Sequence, residues 1–184
     1  MTSEADRTVL SRPVKVDEIR DGTRGETAAT AAERNQIARL LDLVALDRLD
    51  FSYSLDRGGP GRVHLTGRLQ ADVAQTCVVT LDPVEARLDV PVEVDFWPAA
   101  QVEEFERRAE EPGHHSLVDW PAAVVDGKID LGPIIYETLA TALDPYPKRA
   151  GASFDWSQGR PDEAGKGESG PFAALAALKG RERR

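Results

Sequence analysis

The side chains in this 184-residue chain most able to do chemistry are one cysteine, three histidines and a row of strand-borne carboxylates. A nucleophilic cysteine needs a nearby base and a lowered pKa. Thr76-Cys77-Val78-Val79-Thr80 offers no base beside the thiol. Alternation places Cys77 on the apolar face of a long strand, so a buried structural thiol is expected. A zinc site needs three or four ligands at workable spacing. Cys77 with His64, His114 and His115 does not supply it. Trp97, Trp120 and Trp156 are expected as packing or loop anchors rather than a base-stacking platform. Asp89, Glu93 and Asp95 share one strand face. Carboxylates so placed can do acid–base work, but exposed strand faces are commonly charged. Asp130 stands just before Leu131-Gly132-Pro133, where its carboxylate can cap a helix and Pro133 fits the first turn. These residues form no catalytic constellation, nucleotide loop or metal site. The expectation is a non-enzymatic protein without a cofactor.

Charge narrows the partners. The net charge is -9, from 23 basic and 32 acidic residues. A broad grip on nucleic acid needs clustered Lys and Arg, so DNA binding is not expected. An acidic body favours basic partners, ribosomal proteins among them. The charge is uneven: residues 82–111 hold ten acids and three bases, residues 179–184 four bases and one acid. One cysteine excludes an internal disulfide and fits a reducing compartment. The chain has no run of eighteen apolar residues and no apolar signal region, so a cytoplasmic protein without membrane contact is expected.

The elements that must position these residues centre on Arg62–Pro98. Val63, Leu65, Gly67, Leu69, Ala71 and Val73 alternate with His64, Thr66, Arg68, Gln70 and Asp72. Leu88, Val90, Val92, Val94 and Phe96 do the same on a second arm beyond Leu81-Asp82-Pro83. Strict period-2 alternation signals half-buried antiparallel strands. Leu49–Leu55 reads as a further strand, joined through Arg57-Gly58-Gly59-Pro60-Gly61. Ser11–Val16 reads as a short edge strand, since Pro13 cannot donate to a ladder, and Asp21–Gly25 as a link. Thr27–Leu43 reads as a helix, with Thr30 and Glu33 as a capping box. Ile37, Leu40, Leu41 and Val44 form its apolar stripe. Gln101–Glu111 reads as a helical turn or a loop. Pro133–Leu143 is a second main helix, stopped by Asp144-Pro145. The expected fold is α+β: an antiparallel meander that could curl toward a half-barrel, packed with two main helices. Residues 1–10 are expected to be disordered, 11–147 to form one domain, and 148–170 to be a flexible linker. Residues 171–184 are expected to form a short amphipathic helix and basic tail, which either docks on a partner or folds back.

Three stretches in order resemble the YceD family, the large ribosomal RNA subunit accumulation proteins. They are Thr76-Cys77-Val78-Val79-Thr80-Leu81-Asp82-Pro83-Val84, Ile129-Asp130-Leu131-Gly132-Pro133-Ile134 and Asp144-Pro145-Tyr146-Pro147. Pro171-Phe172-Ala173-Ala174-Leu175 is similar to the tail of the alphaproteobacterial branch. The resemblance runs from about Leu40 to Lys179. It implies an accessory factor in 23S ribosomal RNA accumulation and large-subunit biogenesis, with ribosomal RNA or a basic large-subunit protein as partner. The rivals are an adaptor that binds such a protein without touching RNA, and an enzyme with an unrecognised pocket. Asp130, Gly132, Asp144, Tyr146, Phe172, Leu175 and Lys179 are the candidate partner-binding residues. Many members carry Cys-x-x-Cys where this chain has Cys77-Val78-Val79-Thr80, so Thr80 breaks any metal or redox role of that pair.

Overall fold

The alternation of Arg62–Pro98 becomes two long strands, β4 (Arg62–Thr76) and β5 (Pro83–Pro98), paired antiparallel along their full length. The computed structural model describes residues 9–109 and 120–153. The chain divides into two units, 1–150 and 151–184, and all but the last three described residues belong to the first.

Before β4 come β1 (Pro13–Lys15), a single 3-10 turn at Val16–Glu18, β2 (Thr23–Ala28), α1 (Ala31–Leu40) and β3 (Ala45–Gly59). After β5 come α2 (Ala99–Ala109), β6 (Ala122–Val124), β7 (Lys128–Asp130) and α3 (Leu131–Ala142). The main sheet runs β2-β3-β4-β5-β6, and β1 with β7 forms a separate two-stranded ribbon. The fold is the expected α+β, with an open sheet and, among the described residues, three α-helices.

The sheet departs from a pure meander at both ends. Thr23–Ala28 is a strand along β3, where a link and a helix start had been expected. Its inward positions include Gly25, and the Tyr53 ring occupies the space a Cβ would need. At the far edge β6 lies parallel to β5, so the sheet is mixed. Gln101–Glu111 resolves as helix over Ala99–Ala109, beside β5 and β6. Trp97, Phe105 and Trp120 join there edge to face at 5.5 Å, and the Arg62 guanidinium lies 3.8 Å over Trp97. Trp97 packs between Phe105 and Arg62, whereas Trp120 is 59% exposed and meets Phe105 by its edge; Trp156 lies outside the described residues.

The first helix is shorter than the sequence pattern suggests. Thr30 caps it at Ala31, with the capping box formed in both directions. Ile37 and Ala38 are buried, whereas Leu40 and Val44 of the expected stripe are 45% and 52% exposed. The helix stops before a full stripe can pack. Asp42 and Val44 belong to the turn that feeds β3, with Asp42 at φ +53°.

One core holds Ile37 of α1, Leu49, Phe51 and Leu55 of β3, Val63, Leu65 and Leu69 of β4, and Ile129, Leu131, Ile135 and Leu139 at the β7–α3 corner. Each such side chain contributes about 1.5–3 kcal/mol by leaving water. Val9 and Leu10, expected in a disordered end, are also buried in this core. Met1–Thr8 lie outside the described residues, as do the linker beyond Ser153 and the whole of the 171–184 tail. Among the described residues no helix is long and apolar enough to cross a membrane.

Candidate functional site

Two of the three family-like stretches meet at one end of the sheet. Beyond β4 the chain makes a closed loop: Cys77 N–H donates to the Asp82 carbonyl at 2.8 Å, and Leu81 N–H to the Cys77 carbonyl at 3.0 Å. The segment after α3 lies against it. Val78 N–H donates to the Pro147 carbonyl at 2.9 Å, and Gln75 Nε2 to the Asp144 carbonyl at 2.9 Å. Asp144 Oδ1 accepts from Tyr146 N–H at 2.8 Å, which turns the chain back where Pro145 ends the helix. Arg149 closes the contact through its guanidinium on Asp82 Oδ2 at 3.0 Å.

Cys77 is therefore not on the strand face; β4 ends at Thr76 and the thiol sits in the loop. Alternation continues through Val79 and Leu81, which is why the pattern alone overruns the strand. The residue has no accessible surface. Its Sγ accepts from Thr80 N–H and Arg149 N–H, both at 3.4 Å. The Arg149 backbone N–H, then the Thr80 hydroxyl and N–H and the Val79 N–H, lower the thiol to about 6. Burial opposes them, but the converging donors outweigh it. The groups around the sulfur are backbone N–H donors and the Thr80 hydroxyl, so the pocket suits a thiolate, and among the described residues no second thiolate, imidazole or carboxylate contacts the sulfur to complete a metal site. The Thr80 hydroxyl fills the place of the second cysteine. Among the described residues no group of three or more His, Cys, Asp or Glu could hold a metal ion.

The same loop exposes apolar surface. Val78 is 53%, Leu81 76% and Tyr146 75% exposed. Leu81 also has φ +62°, the left-handed region that Asn, Asp and Gly tolerate and Leu rarely enters.

The third stretch, Ile129–Ile134, lies at the β1–β7 ribbon. Asp130 caps α3 through Gly132 N–H at 2.9 Å, as the sequence indicates. It also accepts from Arg12 N–H at 2.6 Å and the Ser11 hydroxyl at 2.7 Å. Gly132 permits this latch, because a Cβ there would collide with the Leu10 carbonyl. Arg12 continues the connection with a two-pronged ion pair to Glu33 of α1, both bonds 2.9 Å. The Arg12 bond, with help from the Thr30 N–H and hydroxyl, draws Glu33 down to about 2 against some burial. Ser11 and Arg12 carry no local sequence signal for this role, since their partner lies more than a hundred residues away.

The uncovered sheet face carries crossed rows of charge. Arg48 pairs with Asp50 at 2.6 Å, Arg68 with Asp89 at 2.5 Å, Arg87 with Asp72 at 2.9 Å, and His64 Nδ1 lies 2.8 Å from Asp95. Asp89 thus faces Arg68, while Asp95 and Glu93 flank the His64 ring, Glu93 at 3.5 Å from Nε2, so the three carboxylates do not converge on one centre. Open troughs of about 730 and 500 Å³ on this face share Glu26, Ser52 and Arg68. They lie away from the loop where the family-like stretches meet. On their borders Arg48 pairs with Asp50 and Arg68 with Asp89.

Of the candidate partner-binding residues, Asp144 and Tyr146 stand at the loop end, and Asp130 and Gly132 at the ribbon latch. Phe172, Leu175 and Lys179 lie outside the described residues. The sequence signal missed Leu81 and Arg149, which the fold brings beside Cys77. No curated protein matches the chain. No solved structure matches it either. Residues 65–179 match the family described as large ribosomal RNA subunit accumulation protein YceD. That span takes in β4 from Leu65 on, β5, the Cys77 loop, the α3 corner and the Asp144–Arg149 turn, more than half of the chain, which therefore belongs to the YceD family.

Proposed function

We propose that the protein is a non-catalytic accessory factor in the accumulation of 23S ribosomal RNA and the assembly of the large ribosomal subunit in the cytoplasm. The carrying observation is the family match over residues 65–179. The geometry supports a binding role. The Cys77 loop is buried at its thiol and apolar at its rim, which suits a surface that is touched more than a centre that turns over substrate. Partners of two kinds fit the reading, ribosomal RNA itself and a basic protein of the large subunit.

The test is removal of the chain from its cell, followed by measurement of the 23S to 16S ratio and the free large-subunit peak. Both should fall, and the full-length chain should restore them. An unchanged ratio refutes the reading. The non-catalytic part is tested separately with Cys77→Ala. This variant, if it melts like wild type, should restore the ratio; failure to do so would put a reactive thiol, and an enzyme, in place of the binding role.

A further inference from the structure

The Cys77 end of the sheet combines three properties that packing does not require. The first is a gathering of exposed apolar side chains. Val78 and Leu81 of the Cys77–Asp82 loop and Tyr146 of the segment after α3 are exposed, and the Val78–Pro147 backbone bond joins the two segments. Val44 is exposed on the turn whose N–H bonds the Ala74 carbonyl near the end of β4. Large exposed apolar groups gathered at one place mark interaction sites, whereas single scattered ones do not.

The second is backbone strain. Leu81 sits at φ +62° with its side chain outward. A strained residue that fills no core is held for what it presents. The third is charge. Segments 42–47, 74–85 and 144–149, which meet at this end, hold the acids Asp42, Asp47, Asp82, Glu85 and Asp144. The bases there are Lys148 and Arg149, and Arg149 is engaged by Asp82. Asp47 and Glu85 lie in one depression with Asp72 and Arg87, which pair with each other, so acids exceed bases beside the exposed apolar groups and attract lysine and arginine.

We propose that this end of the sheet docks a basic protein segment carrying an apolar anchor, contributed by a protein of the large ribosomal subunit; the choice of that partner rests on the proposed function. Val78, Leu81 and Tyr146 form the apolar seat, and the surrounding carboxylates set the on-rate and its salt dependence. The excess of acid favours a basic protein over ribosomal RNA at this surface.

The probe is total protein extracted from purified large subunits, passed over the immobilised full-length chain, with 23S ribosomal RNA run in parallel. Leu81→Asn removes the anchor while relieving the left-handed strain, so the variant should melt no lower than wild type. Tyr146→Ser, at an exposed position, should also keep its melting temperature. The expected result is retention of a basic protein by wild type and a loss of about tenfold or more in each variant, as for anchor residues generally. Equal retention by wild type and both variants overturns the inference. So does retention of RNA without protein, or of nothing. In those outcomes a fall in 23S ribosomal RNA on removal of the chain still supports the accumulation role, so the two readings fail separately.

Discussion

Removing the Asp130 carboxylate should release the N-terminal segment as well as the helix it caps. In Asp130→Ala the donors of Gly132, Arg12 and Ser11 all lose their acceptor. A cap alone is worth about 1 kcal/mol. Hydrogen bonds to a charged acceptor are worth about 1.5–3 kcal/mol each when buried. Here the groups are part-buried or exposed, so about 3 kcal/mol in total is the reasoned cost. For a chain of this size that lowers the melting temperature by about 6–12 °C. Asp130→Asn is the informative contrast. Its carbonyl can still accept from Arg12 and Gly132, and its amide can donate to a Ser11 hydroxyl that rotates to accept. The cost should be below about 1 kcal/mol, the difference between a charged and a neutral acceptor. Calorimetry gives the two melting temperatures, and amide exchange at Arg12 reports the latch directly. If Asp130→Ala melts within about 2 °C of wild type, or leaves Arg12 exchange unchanged, the carboxylate is not holding the segment and the reasoning fails.

Other expectations follow from the same geometry. Gly132→Ala should destabilise by about 2 kcal/mol or more, because the new Cβ must displace the Leu10 carbonyl; a neutral Gly132→Ala would contradict the close approach. Glu33, held at about 2, contributes stability that is present above its ordinary pKa of 4.5 and is lost as pH falls toward 2. Glu33→Gln should therefore flatten the melting temperature across that interval, by about 1 kcal/mol once solvent screening is allowed for. Cys77 should show thiolate absorbance near 240 nm with a midpoint at about 6, and a step near 9 would contradict the donor nest. Since its folded pKa is depressed, the stability it adds is full above the unfolded thiol value and declines as pH falls through about 6. Leu81→Asn should raise stability by about 1 kcal/mol through relief of the left-handed backbone, as read from denaturant midpoints.

Local signals in the sequence were read well where the partners are near. Thr30 and Glu33 are three residues apart, and Asp130 caps a donor two residues on. The long alternation of Arg62–Thr76 fixes both the strand and its buried face, because a one-residue slip would turn every side chain over. The failures have physical causes. β2 is nearly without apolar residues, since Gly25 leaves its inward space to the Tyr53 ring of the next strand. Cys77 was placed on the sheet because Val79 and Leu81 extend the period through a loop free of glycine and proline. The short parallel strand β6 depends on a pairing with β5 across α2, which periodicity in three residues cannot announce. At the loop end, Asp144 and Tyr146 could be singled out from their stretch, but the left-handed Leu81 could not, because leucine has no preference for that backbone.

The latch also sets an order of events during synthesis. Arg12 and Asp130 are 118 positions apart, and among the described residues β1 pairs with β7 alone. At about 5–20 residues per second, the ribosome makes the intervening chain in about 6–24 s. Throughout that time β2 to β5 can pair with neighbours already made, while the Ser11 hydroxyl and the Arg12 backbone N–H wait for the Asp130 carboxylate. Folding is thus vectorial in its sheet and terminal in its closure. A nascent chain stalled before Lys128 should carry a protected β3–β4–β5 ladder and a protease-sensitive segment around β1. Release past Asp130 would be the step that makes that segment resistant.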